Sequence, residues 1–363
     1  MANLPELLRE MLDRGGSDLH LTVGVPPMLR LHGRLTPLEG EALTPAATKD
    51  MAYSVLTDHQ KQKFEEAKEL DLSFGLKGVG RFRANVFQQR GAVAVAIRVI
   101  PTMIPTFEAL GLPKVMADLC ERPRGLVLVT GPTGSGKSTT LAAMIDKINT
   151  ERQEHIVTIE DPIEFVHLHK RSVVNQRELG TDTATYTAAL RSVLREDPNT
   201  ILIGEMRDRE TIEAALTIAE TGHLTFGTLH TNSAVQTITR LVDAFPPDSR
   251  PQVRTQLSFI LEGIICQLLV PRAGGPGRVL VLEVLVPNPA VRNLIREDKV
   301  HQIYSVMQSG QDRHGMITMN QSLFGHYLKR QITLEEAVSR SPVPDELMQM
   351  IQRAQIGATA GRR

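Results

Sequence analysis

The eight residues Gly-Pro-Thr-Gly-Ser-Gly-Lys-Ser at positions 131–138 constrain this chain more than any other part of its sequence. They directly follow an apolar run at residues 125–130, and this order predicts a buried strand, a glycine-rich loop and then a helix. Glycines allow such a loop to curl until several backbone N–H groups face one point, to which the N-terminus of the helix adds its partial positive charge. The segment therefore predicts a loop that binds the polyphosphate of a nucleotide.

The residue types of this loop predict separate tasks. Lys137 is expected to reach the β and γ phosphates as a point charge, and the Ser138 hydroxyl to complete the oxygen shell of a Mg²⁺ ion. The alternative, a glycine-rich turn without a ligand, is disfavoured by the strand before the loop and the helix after it. The predicted ATP-binding residues are Gly131, Pro132, Thr133, Gly134, Ser135, Gly136, Lys137, Ser138 and Thr139.

Length and composition limit the classes of protein that can carry this loop. The 363 residues, of which 41% are hydrophobic, suffice for two domains with substantial cores. Lys+Arg and Asp+Glu both number 41, so the chain has no general attraction to nucleic acid or anionic lipid. Cys120 and Cys266 lie far apart and there is no CxxC pair, which argues against a zinc site and a disulfide framework.

The N-terminal sequence and the hydropathy pattern bear on localisation. The first ten residues contain acids and lack a continuous apolar stretch, unlike a signal peptide. No apolar run approaches the roughly 20 residues that span a bilayer. We therefore expect a cytoplasmic protein that acts at a membrane only through a partner.

The pattern of helices and strands predicts two domains of different kinds. Residues 1–100 combine two helical stretches, near 5–14 and at 44–67, with two alternating stretches at 81–90 and 92–100. The alternating stretches predict antiparallel strands in a small α+β domain. Residues 101–113 are rich in proline and are predicted to be a hinge linker.

The remainder of the chain, a core at 114–289 and a helical region at 290–363, follows a different pattern. In the core, strands alternate with helical stretches, which is typical of an α/β fold whose parallel sheet is covered on both faces. The predicted core strands are 126–130, 156–160, 201–204, 224–229 and 279–286.

An acidic cluster follows the second of these strands. Glu160 is the candidate for orienting the attacking water, because the carboxyl ends of parallel strands meet at the edge where the phosphate loop lies. Glu164 is a weaker candidate for the same task. In the alternative interpretation, these acids only cap a turn before Pro162.

The third and fourth core strands also end in polar residues. The third resembles a Walker B strand, except that Gly204 stands where an Asp is usual and Glu205 follows it. Glu205 is expected to contact Mg²⁺ through water, unless it is a solvated acid at a strand end. Arg207 and Asp208 are predicted to form an ordinary surface pair outside the chemistry.

His230 follows the fourth strand. Its imidazole can detect a γ phosphate through a hydrogen bond, although a lone histidine is more often structural. Four arginines could add charge to the same cleft, and the sequence does not rank them: Arg195, Arg240, Arg254 and Arg272.

Together these motifs resemble those of the secretion and type IV pilus ATPase superfamily. The segments that carry the resemblance are 131–139, 158–164, 201–208 and 227–234. Within the superfamily the chain is most similar to the pilus retraction ATPases. That likeness rests on segments 14–21, 69–74, 290–297 and 319–323. The missing CxxC zinc insertion, and a first domain that begins at the N-terminus, favour a retraction ATPase over an extension ATPase.

The resemblance implies a RecA-like P-loop core that is preceded by a PAS-like domain and followed by C-terminal helices. It implies a homohexamer in which ATP lies between the PAS-like domain and the core. Arg81, Arg83 and Arg98 match positions at which the family places arginines that sense the nucleotide, as trans-acting fingers. Their alternative is an exposed basic strand face.

The resemblance also implies a load for the motor. With ATP and Mg²⁺ it would act on an inner-membrane pilus platform protein at the cytoplasmic face, and so indirectly on pilin, in twitching motility and DNA uptake. The alternatives are an accessory retraction paralogue, a RecA-like nucleic-acid motor, and a regulatory subunit that binds nucleotide without hydrolysing it. With 4% aromatic residues and no Trp, direct nucleic-acid binding is disfavoured.

Overall fold

The computed structural model describes residues 3–31, 33–310 and 315–360, so parts of the predicted first and last regions lie outside the described residues. The chain divides into two compact units. The first contains Met1–Met103 together with Pro162–Val166, and the second contains Ile104–Asp161 and His167–Arg363. Each unit has its own hydrophobic core.

The first unit contains an antiparallel sheet. Within the described residues six strands form it, in the order β3-β2-β1-β6-β5-β4. The strands are β1 (Asp18–Leu21), β2 (Met28–Leu31), β3 (Arg34–Pro37), β4 (Glu69–Leu76), β5 (Gly80–Gln89) and β6 (Ala92–Ile100). The helices are α1 (Leu4–Asp13), α2 (Pro45–Tyr53) and α3 (Asp58–Ala67).

The sequence pattern explains this unit. Alternation along β5 buries Phe82, Ala84 and Val86 in the core and turns Arg81 and Arg83 to the opposite face. The two strands predicted at 81–90 and 92–100 are thereby confirmed. The single helical stretch predicted from 44 to 67 is wrong in one respect: Thr57 caps a new helix with a capping box, so the stretch forms two helices.

The second unit is built on a mixed sheet that is mostly parallel. In its described part seven strands pair in the order β13-β12-β7-β11-β10-β8-β9, and β13 is antiparallel to β12. The strands are β7 (Gly125–Thr130), β8 (His155–Glu160), β9 (Val173–Glu178), β10 (Thr200–Ile203), β11 (Leu224–Leu229), β12 (Leu261–Pro271) and β13 (Arg278–Leu285). The five predicted core strands are confirmed, whereas β9 and β12 were not predicted.

Helices cover both faces of this sheet, as predicted. Alternate residues of β7 belong to different hydrophobic clusters, with Leu126 and Leu128 in one and Val127 and Val129 in the other. The helices of this unit are α4 (Phe107–Leu110), α5 (Lys114–Cys120), α6 (Lys137–Glu151), α7 (Tyr186–Val193), α8 (Arg209–Glu220), α9 (Ala234–Asp243), α10 (Arg250–Ile260), α11 (Pro289–Arg296), α12 (Ile303–Ser309), α13 (Met319–Leu328), α14 (Leu334–Arg340) and α15 (Pro344–Ala360). In the part of the chain that the structure describes, none of the helices combines the length and the apolar character needed to cross a membrane.

Candidate functional site

The phosphate loop connects β7 to α6 and depends on glycines at fixed positions. Gly131 has a φ of 139°, and a Cβ at this position would overlap the backbone carbonyl oxygen of Gln267. Gly136, with a φ of 87°, immediately precedes Lys137, the first residue of α6. Both positions favour glycine because residues with a Cβ rarely adopt these positive φ values. At residue 131 there is in addition no space for a Cβ.

The loop brings the predicted phosphate ligands to the N-terminus of a long helix. The Lys137 ammonium group donates to the carbonyl oxygens of Gly131 and Pro132, at 2.8 and 3.1 Å, and thus lies across the loop. Ser138 and Thr139 follow in the first turn of the 15-residue α6, where the helix leaves backbone N–H groups unpaired. A lysine and free amides converge here, which suits a polyphosphate.

Glu205 lies among positive groups. Its two carboxylate oxygens contact Arg207 Nη2 at 2.8 Å and His230 Nε2 at 3.2 Å. The hydrogen bond from Arg207 holds the pKa of Glu205 below its ordinary value, and the charges of His230 and Lys137 act in the same direction. The structure thus confirms that the ends of β10 and β11 meet, and it keeps Glu205 ionised at neutral pH.

Gly204 occupies the place of the usual Walker B aspartate, and its surroundings explain the departure. A Cβ at residue 204 would lie 3.1 Å from the Tyr186 hydroxyl, 3.2 Å from the Glu160 Cα and 3.2 Å from the Ile159 carbonyl oxygen. Burial, with the carboxylates of Asp161 and Glu160 nearby, raises the pKa of Tyr186, so this hydroxyl remains neutral. The end of β8 and Tyr186 crowd this position, so a side chain at residue 204 would require them to move by a few tenths of an ångström.

Glu160 is the last residue of β8 and is held from two sides. Its Oε1 accepts hydrogen bonds from the Thr158 hydroxyl at 2.6 Å and from the Gln176 amide at 3.2 Å. Gln176 belongs to β9, the strand that pairs with β8 at the edge of the sheet. A carboxylate with a fixed orientation at this edge can orient a water for attack.

A cavity of about 490 Å³ adjoins the phosphate loop. One wall consists of loop and α6 residues, including Gly136 and Thr139, and the others include the arginine side chains Arg272 and Arg278 and the pair His326 and Gln331. The last two are joined by a 2.6 Å hydrogen bond between the imidazole Nδ1 and the amide oxygen. The cavity is large enough for a nucleoside, and its lining includes polar and charged side chains.

The three predicted trans arginines share one face of the first unit's sheet. Arg81 and Arg83 alternate along β5, and Arg98 lies directly opposite Arg83 on β6. Arg98 Nε donates to the buried carboxylate of Asp18 at 2.7 Å, whereas Arg81 donates to Ser73 at 3.0 Å. The structure therefore brings these arginines together and fixes the Arg98 side chain through Asp18.

Other predicted residues have less defined places. Glu164 lies in Pro162–Val166, a segment of the first unit, whereas Glu160 belongs to the second. Of the four unranked arginines, Arg272 lines the cavity, while Arg254 forms an ion pair with Asp298 at 3.2 Å. Arg207, which was predicted to form a surface pair with Asp208, is instead a direct partner of Glu205, and the Asp208 side chain caps α8.

Two residues of the site were missed entirely. Gln267 donates a 2.7 Å hydrogen bond to the Ser135 carbonyl oxygen within the phosphate loop, and Tyr186 fills the space beside Gly204. Both come from elements far from the motifs in sequence. The only sequence signal for Gln267 is that it is a polar residue within an otherwise apolar stretch, and Tyr186 has no such signal.

A bound Mg²⁺ would draw most of its ligands from outside the protein. Among the described residues, no three His, Cys, Asp or Glu side chains form a group that could hold a metal. The Ser138 hydroxyl and the ionised Glu205 fit a different arrangement, in which phosphate oxygens and waters complete the shell. The residues present thus fit a nucleotide-dependent magnesium site.

Comparison with known proteins places these observations in a family. A family model described as "Type II/IV secretion system protein" matches residues 81–337. The chain is 49% identical, over 343 residues, to the type IV pilus retraction ATPase PilT of Pseudomonas aeruginosa, which covers 94% of this chain and 99% of that protein. It is 42% identical over 347 residues to the type IV pilus ATPase PilU of the same organism, with 96% and 91% covered.

A solved structure shows a similar likeness. The chain superposes on the crystal structure of the pilus retraction motor PilT with bound ADP at a TM-score of 0.90, with 55% sequence identity. The match covers 96% of this chain and all of the solved one.

Proposed function

This chain belongs to the type II/IV secretion system protein family of ATPases, and we propose that it is the motor that retracts a type IV pilus. The observation that carries the proposal is the extent of its similarity to a retraction ATPase. At 49% identity the match spans 94% of the chain, so it includes the first unit and the C-terminal helices as well as the ATPase core. The lower identity to PilU, 42% over a comparable length, makes an accessory motor the lesser alternative.

The substrate of the site is proposed to be ATP with Mg²⁺. Its β and γ phosphates would lie on the amides of residues 131–139 and on the Lys137 ammonium group, and its nucleoside would enter the adjoining cavity. Mg²⁺ would be held by the Ser138 hydroxyl and, through water, by Glu205. The ion would neutralise charge that develops on the transferred phosphoryl group.

The hydrolytic step is assigned to the residues that end β8, β10 and β11. Glu160, oriented by Thr158 and Gln176, would hold the attacking water in line with the γ phosphate. Glu205 Oε1 lies 3.2 Å from His230 Nε2, and with a proton on both ring nitrogens the imidazolium would donate a hydrogen bond from Nδ1 to the γ phosphate. Glu164 remains a weaker proposal for the water-orienting task, because it belongs to the first unit.

The assembly is proposed to be a homohexamer with shared sites. Arg81, Arg83 and Arg98 would reach a nucleotide that is bound by a neighbouring subunit, and Asp18 would hold the Arg98 guanidinium in place. Residues 101–113 would act as the hinge between the PAS-like domain, residues 1–100, and the ATPase core, residues 114–289, with the C-terminal helical region at 290–363.

The load is proposed to be the pilus base. The ring would act at the cytoplasmic face of the inner membrane on the pilus platform protein, and through it on pilin, without contacting nucleic acid directly. Such a motor would serve twitching motility and DNA uptake. The similar Pseudomonas aeruginosa protein is a type IV pilus retraction ATPase, which supports this assignment.

The enzymatic half of the proposal is tested by Mg²⁺-dependent ATP hydrolysis, with particle mass measured on the same sample by light scattering. Wild type is compared with Lys137→Ala, Glu160→Ala, Arg81→Ala/Arg83→Ala and, as a control arginine of the same unit, Arg34→Ala. Turnover confined to the hexamer and lost in the double arginine variant supports shared sites. Equal turnover by monomers, or full activity of that variant, contradicts them.

The mechanical half is tested by complementation in a piliated bacterium that lacks its retraction ATPase. Restored twitching supports the retraction motor, with Lys137→Ala as the inactive control. A second strain keeps the main retraction ATPase and lacks only its accessory motor; an accessory motor would restore twitching in this strain alone. Failure in both backgrounds, with an active enzyme, would contradict the proposed load.

A further inference from the structure

Gln267 contacts the phosphate loop at two places. In the parallel pairing of β12 with β7, Cys266 lies opposite Thr130, so Gln267 comes next to the first residue of the loop. Its backbone carbonyl oxygen fills the space where Gly131 would carry a Cβ. Its side-chain Nε2 donates to the carbonyl oxygen of Ser135 at 2.7 Å. One residue therefore supports both the start and the middle of the loop.

The bond to Ser135 fixes the direction of a peptide group in the loop. In a trans peptide the C=O and the following N–H point in opposite directions. Because the Ser135 carbonyl is turned toward Gln267, the N–H of Gly136 points away from Gln267. The orientation of such amides toward one point is what allows a loop to bind phosphate.

The side chain of Gln267 is buried and incompletely paired. The residue is only 1% exposed, and within the described part of the chain its Oε1 accepts no hydrogen bond. A buried amide oxygen without a partner destabilises the folded state. The apolar neighbours Ile265 and Val270 on the same strand show what core packing alone would favour.

We propose that Gln267 is a positioning residue that holds the amides of the phosphate loop in the arrangement that binds the polyphosphate of the nucleotide. It acts through the Ser135–Gly136 peptide and touches no reacting atom. The inference rests on the proposed function in one respect, that the loop binds nucleotide phosphates. It adds a residue from β12 that none of the motifs contains.

The test compares Gln267→Met with wild type, since Met has a similar length and cannot donate to the Ser135 carbonyl. Affinity for Mg²⁺-ADP is measured on the full chain by calorimetry, and affinity for tripolyphosphate by competition with a fluorescent ADP. We expect both affinities to fall about ten-fold, because a buried carbonyl loses its donor and the loop amides lose their fixed direction. Equal losses for the two ligands locate the effect at the phosphates.

A matched control is Asn320→Leu, which removes a buried amide that donates to the Val343 carbonyl in the C-terminal helices, at 3.0 Å. It should lower stability without changing either affinity. Gln267→Leu serves as a second variant of the test position. Folding of all variants is checked by thermal unfolding without nucleotide.

Three results would overturn the inference. Unchanged affinities in Gln267→Met would show that the contact does not position the loop. A loss for ADP without a loss for tripolyphosphate would assign the effect to the cavity, which Gln267 also lines, rather than to the phosphate loop. Failure of both Gln267 variants to fold would assign the residue to the core. Failure of the wild type to bind ADP would instead refute the proposed nucleotide site.

Discussion

Substitution of Gly204 tests why this chain lacks the usual Walker B aspartate. In Gly204→Ala the new Cβ would lie 3.1 Å from the Tyr186 hydroxyl and 3.2 Å from two atoms of β8, the Glu160 Cα and the Ile159 carbonyl oxygen. Two of the three atoms belong to the backbone, so relief requires β10 and β8 to separate by a few tenths of an ångström. Overpacking of this kind costs about 1–3 kcal/mol.

The displacement also affects hydrolysis, because one of the three displaced atoms is the Cα of Glu160, the residue proposed to orient the attacking water. At about 2–4 °C per kcal/mol, the melting temperature should fall by roughly 2–12 °C. Turnover should fall about 10- to 100-fold, since small misplacements of a water-orienting group are costly in rate. Thermal unfolding and steady-state ATP hydrolysis measure the two effects on one preparation.

Two further variants separate the causes. Gly274→Ala is the matched control, because a Cβ at Gly274 meets no atom within 4 Å, and it should leave melting and turnover unchanged. Gly204→Ala/Tyr186→Phe removes the hydroxyl contact alone and should recover only part of the loss. A Gly204→Ala protein with wild-type melting and turnover would refute the steric explanation.

Three other expectations follow from single residues. Glu160→Gln should reduce turnover by at least 100-fold while ADP affinity, measured by calorimetry, stays within two- to three-fold of wild type, as expected for a group that acts on the attacking water. Burial lowers the pKa of His167 to about 4 from an ordinary value near 6.5, so between these pH values the unfolded chain binds a proton more readily than the folded one. Roughly 3 kcal/mol of the free energy of unfolding should therefore be lost as the pH falls through this window. His167→Gln should remove this contribution from the pH dependence of urea unfolding. Burial raises the pKa of the Cys120 thiol to about 12 and also raises that of Cys266, so iodoacetamide at pH 8 should label neither in the native protein and both in urea.

The local part of the site could be predicted from sequence because each motif follows its own strand. Gly131, Glu160, Glu205 and His230 all come directly after an apolar run, and the parallel register brings those strand ends to one edge. Periodicity and glycine content are sufficient for such local inferences. The strands at 81–90 and 92–100 were predictable for the same reason, since alternation is a local signal.

The strands that were missed lack a local signal. The strand β9 has the sequence Val-Val-Asn-Gln-Arg-Glu. Its last four residues are polar, which suits an edge strand but resembles a loop in composition. The apolar residues of β12 begin at Leu261, immediately after α10 ends at Ile260, so no turn separates the helical period from the strand. Length and flanking breakers, which usually distinguish the two, are absent at this junction.

The same limitation explains why these supporting residues escaped prediction while the residues of the motifs did not. β7 has two neighbours in the sheet, β11 on one side and β12 on the other. β12 follows the phosphate loop by about 130 residues, so its place beside β7 is set by the order of strands in the sheet and not by a local signal. Gln267 and Gln176 reach the loop and Glu160 from strands that no motif contains. Rigid active sites need such support, because a carboxylate or an amide is useful only if its direction is fixed. In this chain the sequence motifs predict the groups that face the nucleotide, and the lateral order of the sheet decides which residues hold them in place.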